Sequence, residues 1–157
     1  MSQPNVEALI ARFGSDDPVE RREAREAIEA RGRTLAGVVA AALKDDEQRV
    51  RWEAAKALTS IATTDAVPAL IDSLKDEDPG VRWLAAEALT TVGTDAVKPV
   101  LRALLTMSED PWFREGAHHV LRSLVRPETT EVVRALEGRF QGMTVPVAAD
   151  SALRKLG

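Results

Sequence analysis

The side chains best suited to chemistry in this chain are two adjacent histidines, His118 and His119. Consecutive residues on a helix point about 100° apart, so these imidazoles cannot form the i, i+4 ligand pair of a helical metal site. The chain has no cysteine for thiolate chemistry and no glycine-rich phosphate loop, and no serine and histidine share a helix face with an acid. The sequence therefore predicts no catalytic residue, no metal, no cofactor and no enzymatic activity.

Arginine and acidic residues form a second set, in which each arginine follows an acid by four positions. The pair recurs every 30 to 32 residues along the chain. The arginines are Arg21, Arg51, Arg82 and Arg114, and the acids are Asp17, Glu47, Asp78 and Asp110. Such a column could bind anions. The interpretation that we favour is a structural ladder of ion pairs and helix caps that fixes the spacing between repeats.

These residues lie in a stretch that occurs four times, with its best copy at 78–89. Within each copy the apolar residues fall on one helix face, and a second helical pattern, such as Val67, Leu70, Ile71 and Leu74, precedes it. Self-similarity at this period is typical of stacked repeat proteins. The sequence therefore predicts repeats made of two helices, which we call A and B.

The B-helix motif resembles the short HEAT-like repeats first described in phycobilisome lyases. It places Val-Arg after the acid, followed by spaced alanines and Ala-Leu, as in Val50-Arg51 with Ala54, Ala57 and Leu58. The resemblance implies an all-α, right-handed solenoid of about five HEAT-like helix pairs, of the armadillo/HEAT type. We expect a single domain over 1–157, with approximate repeats at 4–31, 33–62, 64–93, 95–125 and 127–157. The last repeat is degenerate, but it aligns with the fourth at a shift of 32.

The resemblance also bears on function, because this family includes scaffolds, lyase subunits and iron hydroxylases. The hydroxylases carry His-Glu pairs on their repeats, whereas here His119 is followed by Val120, so no iron site is implied. In HEAT-type stacks the B helices line the concave surface. Trp52 and Trp83 occupy the same position in adjacent repeats on that surface, and we predict that they are neighbouring anchors for a partner.

The wider predicted binding surface contains the residues around those two indoles, and Trp112 is expected to flank it. The predicted partner-binding residues are Trp52, Lys56, Trp83, Glu87, Trp112, Glu115, His119 and Arg122. Two alternatives remain open: the indoles could pack flat between repeats, or they could form a homodimer contact.

The charge of the chain narrows the class of partner. The net charge is −4, and the concave positions mix both signs, which suits a protein or peptide segment and not a phosphate backbone. We expect no membrane contact and a cytoplasmic location, because no signal peptide or long apolar run is present. The predicted function is a non-enzymatic interaction scaffold. The alternative is a lyase- or chaperone-like subunit for a tetrapyrrole-bearing protein, in which the tryptophans stack on a planar ligand.

Overall fold

The computed structural model describes residues 2–138 and 144–157, and within them it contains ten α-helices and no β-strand. The helices are α1 (Val6–Ala11), α2 (Pro18–Arg31), α3 (Ala36–Ala41), α4 (Gln48–Ile61), α5 (Val67–Ser73), α6 (Pro79–Val92), α7 (Val97–Met107), α8 (Pro111–Ser123), α9 (Thr130–Leu136) and α10 (Val145–Lys155). Short 3₁₀ turns flank several A helices, at Arg12–Gly14, Arg33–Leu35, Ala42–Lys44, Thr64–Ala66, Thr94–Ala96 and Pro127–Thr129. The predicted all-α fold is confirmed.

Aspartate begins three of the four central B helices. Oδ1 of Asp17, Asp78 and Asp110 accepts a hydrogen bond of 2.8 Å from a backbone N–H of the first turn, and proline follows each aspartate. These contacts satisfy donors that have no partner within the helix. Helix α4 differs, because the Glu47 side chain makes no cap bond and Asp45 Oδ1 accepts from the Glu47 N–H instead.

The B helices α2, α4, α6 and α8 pack side by side, and each A helix packs against the B helix that follows it. Alanine makes this close packing possible: Ala24, Ala54, Ala85 and Ala117 stand at equivalent positions and have no exposed surface. Larger residues, including Leu58 and Leu89, fill the space between the two layers. The row of B helices is therefore a continuous surface on which side chains from adjacent repeats can meet.

The last helix pair is arranged differently from the others. Helix α10 packs mainly on α7, whereas α9 packs on α8, so α10 does not extend the row of B helices. The apolar face of α10, with Val145, Ala149 and Ala152, is buried, and Lys98 at the start of α7 donates to the Gly157 carbonyl. The sequence alignment of the fourth and fifth repeats did not reveal this, because a helix uses the same apolar spacing on either side of the stack.

Candidate partner-binding groove

A groove of about 630 Å³ lies between the outer faces of α6 and α8. It is lined by Pro79, Arg82, Trp83, Ala86, Trp112, Glu115, Gly116, His118, His119, Arg122 and Ser123. Five of the eight predicted partner-binding residues line this groove, and Glu87 contacts one of them. The volume lies in the range of ligand-binding clefts, which is roughly 300–1,000 Å³.

Two tryptophans form the apolar part of the groove. Trp83 is 58% exposed and Trp112 is 43% exposed. These exposed fractions are high for indoles, which are among the largest apolar side chains. The Trp83 ring lies 4.7 Å from the His119 ring, with 55° between their planes. Exposed indoles grouped beside arginines are characteristic of binding hot spots.

The two histidines contact carboxylates on different neighbouring elements. His119 Nε2 lies 2.6 Å from Glu87 Oε1 on α6, and His118 Nε2 lies 3.1 Å from Glu137 Oε1, just after α9. Adjacent residues on a helix point in different directions, so the imidazoles do not converge on one point. Within residues 2–138 and 144–157, no group of three or more His, Cys, Asp or Glu residues is placed to hold a metal.

Arg82 forms one edge of the groove. Its Nη1 donates to the Asp76 and Glu77 carbonyls at 2.7 and 3.2 Å. Its guanidinium carbon lies 4.3 Å from the centre of the Trp112 ring, which is a cation–π arrangement. The backbone contacts and the indole together hold the guanidinium in one orientation.

The sequence matches the family model of HEAT repeats over residues 6–79, 35–122 and 68–156, which together cover nearly the whole chain. The chain belongs to the HEAT-repeat family. This HEAT-repeat protein is also similar to a solved structure, the complex of CpcE and CpcF of phycocyanin lyase from Nostoc sp. PCC7120. The identity is 21%, the TM-score is 0.63, and the match covers 96% of each chain. At that identity the similarity shows the fold. No curated protein matches the sequence at a significant level.

The comparison corrects one prediction, namely that the HEAT-repeat protein is not an enzyme. A solved structure that shares its fold is that of a lyase, and this finding overturns the prediction. No serine and histidine share one helix face with an acid in the sequence, which was the basis of that prediction. The folded chain instead brings His119 and Glu87 together from two helices, although they are 32 residues apart. A histidine oriented by a carboxylate is an arrangement that proton transfer can use.

The similar solved structure is itself a complex of two protein chains. Among the described residues, no helix combines the length and the apolar character that a membrane crossing requires.

The four arginines of the predicted ladder make a common contact. Nη1 of Arg21, Arg51, Arg82 and Arg114 donates to the carbonyl six residues upstream, at 2.6, 3.0, 2.7 and 2.9 Å respectively. Ion pairs cross between repeats at two of them, from Arg21 to Glu53 and from Arg51 to Asp76. The acids of the predicted ladder serve mainly as helix caps, and Glu47 pairs instead with Arg49. That the column sets the repeat spacing remains a prediction.

Trp52 does not join the groove. It is half-buried against the core and lines a separate, smaller depression with Arg21 and Glu53. The exposed indole beside Trp83 is Trp112, which the sequence analysis placed only at the edge. The signal that could have revealed this is Gly80, because a residue without a side chain leaves room for an indole of the preceding repeat.

Lys56 also lies outside the groove, on α4, where it is partly buried and near Glu29. Burial raises the pKa of the Glu29 carboxyl, and the charges of Arg25 and Lys56 offset this only in part. The predicted surface therefore has two separate parts. Trp52 and Lys56 lie on α4 outside the groove, and Trp83 and Trp112 line the groove.

Proposed function

We propose that this HEAT-repeat protein is a lyase-type subunit that binds a partner protein in the groove between α6 and α8. The observation that carries the proposal is the pair of exposed indoles, Trp83 and Trp112, with Arg82 stacked on one of them. Tryptophan and arginine are enriched among residues that contribute most to interface affinity, commonly about 2 kcal/mol or more each. The match to a complex of two lyase chains supports a partner that is itself a protein.

The groove is held in shape before any partner arrives. The Glu87–His119 contact joins α6 to α8, and the Trp83 ring rests against His119. A preformed site loses less conformational entropy when it binds, so more of the contact energy contributes to affinity. Arg122, which is exposed at the α8 side, provides a further cation for orienting the partner.

The partner-binding proposal is tested by capture from the native host's lysate, with wild type and the double variant Trp83→Ala/Trp112→Ala. The matched control is Trp52→Phe, which removes an indole outside the groove while keeping an aromatic ring in its place. We expect a partner that is lost with the double variant and retained with the control, all at equal melting temperatures. Capture that survives the double variant would contradict the proposed face.

A second candidate function is the handling of a tetrapyrrole during the lyase reaction. It is favoured by the groove volume of about 630 Å³ and by two indoles that could stack on a planar ligand. Titration with biliverdin should then change the visible absorbance of the bilin, and the Trp83→Ala/Trp112→Ala variant should abolish the change. No change at high micromolar biliverdin would remove this candidate.

The lyase role has its own test, in which the protein is mixed with apophycocyanin and a bilin. The expected result is a coloured phycocyanin band that survives denaturing electrophoresis and that requires His119, with His119→Gln as the variant. His118→Gln is the matched control, because that imidazole contacts a different carboxylate. If the band stays colourless even when wild type is combined with a companion chain captured from the host, the similarity to lyases is limited to the fold.

A further inference from the structure

The Arg51–Asp76 pair shows how a ladder arginine binds a carboxylate in this fold. Arg51 fixes its Nη1 on the Asp45 and Asp46 carbonyls, both at 3.0 Å. Its other edge then receives Asp76 from the next repeat, with Nε to Oδ2 at 2.8 Å and Nη2 to Oδ1 at 3.3 Å. This is the bidentate geometry that a planar guanidinium offers to a planar carboxylate.

Arg82 has the same backbone anchoring but lacks the carboxylate. The residue that corresponds to Asp76 one repeat later is Ser108, which carries no charge. Within the described residues, no carboxylate lies within ion-pair distance of Arg82, although Glu115 lines the same groove. The Nε and Nη2 atoms of Arg82 make no hydrogen bond to the described residues, and the partly buried side chain lines the groove.

We propose that Arg82 binds a carboxylate of the partner protein, from an aspartate or glutamate that lies next to an apolar side chain. The partner's carboxylate takes the place that Asp76 takes on Arg51, and the neighbouring apolar side chain contacts Trp83 and Trp112. This inference rests on the proposed function and names the chemistry by which the groove recognises its partner. Trp112 supports it further, because stacking at 4.3 Å fixes the plane of the guanidinium.

A carboxylate suits this position better than a phosphate. The internal template is itself a carboxylate, and Glu115 on the groove wall would repel a dianion more strongly than a single negative charge. The chain as a whole carries a net charge of −4, which further disfavours a polyanionic partner. Arg122, the other arginine of the groove lining, already has a carboxylate, because its Nη1 lies 3.4 Å from Glu137 Oε1, so Arg82 is the arginine that we assign to the partner's acidic side chain.

The test uses two probes that differ only in charge, N-acetyl-Phe-Glu-amide and N-acetyl-Phe-Gln-amide. Each is titrated into the full ¹⁵N-labelled chain while the arginine Nε–H resonances are followed by NMR. We expect the Glu probe to bind about tenfold more tightly than the Gln probe and to shift the Arg82 resonance, since hydrogen bonds to charged groups contribute at that scale. Arg82→Lys should abolish the preference, because an ammonium group cannot form the bidentate contact.

Arg114→Lys is the matched control, because Arg114 makes the same carbonyl contact outside the groove. Its preference for the Glu probe should equal that of wild type, and a second variant, Trp112→Ala, should weaken the preference without removing the cation. Equal binding of the two probes, an unchanged preference in Arg82→Lys, or no binding of the Glu probe at millimolar concentration would each overturn the inference.

The result is separable from that of the partner-binding proposal. If the partner is lost with Trp83→Ala/Trp112→Ala but is still captured by Arg82→Lys, the groove binds the partner and the carboxylate assignment fails. If binding of the Glu probe requires Arg82 but the partner is still captured by Trp83→Ala/Trp112→Ala, the carboxylate site exists and the proposed partner face fails.

Discussion

Trp52 lies against Gly80 of the next repeat, where the absence of a side chain makes room for the indole. A β-carbon at Gly80 would lie only 3.1 Å from Trp52 Nε1 and 2.9 Å from Asp78 Oδ1. One repeat later, Trp112 occupies the position that corresponds to Gly80. Trp83, which corresponds to Trp52, is 58% exposed. The two repeats thus differ at the position beside the indole, with glycine where Trp52 packs and tryptophan where Trp83 is exposed.

The first prediction is that Gly80→Ala destabilises the protein by about 1 kcal/mol. The added methyl group presses on Trp52 and on the carboxylate that caps α6, and this outweighs the gain in helix propensity. Thermal or denaturant unfolding measures the change. The control is Gly37→Ala in α3, where the nearest atom would be at an ordinary 3.6 Å. A Gly80→Ala protein as stable as the control would show that Trp52 moves aside at no cost.

The sequence predicted the fold well because the repeat pattern fixes it. The apolar spacing, the capping aspartates and the alanines each determine which face of a helix is buried, and each recurs at the same period. The place of α10 was not predictable in this way, because its apolar face fits either side of the stack. The groove was predictable only in part: Trp83, Glu115, His119 and Arg122 line it as expected, whereas Trp52 packs against Gly80 and Trp112 replaces it as the second indole of the lining.

The second prediction concerns Ala85, which is fully buried where α6 packs between its neighbours. Replacing it with leucine should overpack the interface and lower the free energy of unfolding by roughly 1–3 kcal/mol. The control is Ala30→Leu in α2, where the side chain is exposed and the expected change lies within about 0.5 kcal/mol. Equal unfolding midpoints for the two variants would contradict the close packing of the B helices.

The third prediction is that Asp76→Asn costs about 3 kcal/mol of stability. Arg51 and Asp76 are both largely buried, and their hydrogen bond raises the pKa of the Arg51 guanidinium. A guanidinium stays charged even without that partner, so Asp76→Asn leaves a buried positive charge without its carboxylate. Urea unfolding of Asp76→Asn and of Glu77→Gln measures the difference. Glu77 is the control, because it also approaches Arg51 but has an 83% exposed side chain. If Asp76→Asn lowers the free energy of unfolding no more than Glu77→Gln does, the Arg51–Asp76 pair does not determine the stability of the stack.

The fourth prediction is a pH dependence from Glu29, whose pKa is raised chiefly by burial. Because the folded-state pKa is above the unfolded value, the folded protein holds this proton more tightly. The resulting stability is present below about pH 4 and is lost as the pH rises through the folded pKa. Glu29→Gln should therefore raise the melting temperature at pH 7 and leave it unchanged below about pH 4. Glu23→Gln on the exposed face of α2 is the control, and a rise of equal size in that variant would contradict the role of burial.

The fifth prediction is that Trp112→Gly lets Trp83 pack down as Trp52 does. Measured in a Trp52→Phe background, Trp83 should then be the sole fluorophore, and its emission should shift to the blue and become less accessible to acrylamide. Trp112→Phe is the control, because it keeps a ring at that position and should leave Trp83 exposed. The Trp83–His119 contact at 4.7 Å competes with this movement, so adding His119→Ala should enlarge the shift. If Trp83 stays as accessible in Trp112→Gly as in Trp112→Phe, the stacking on His119 and not the residue at 112 keeps the groove open.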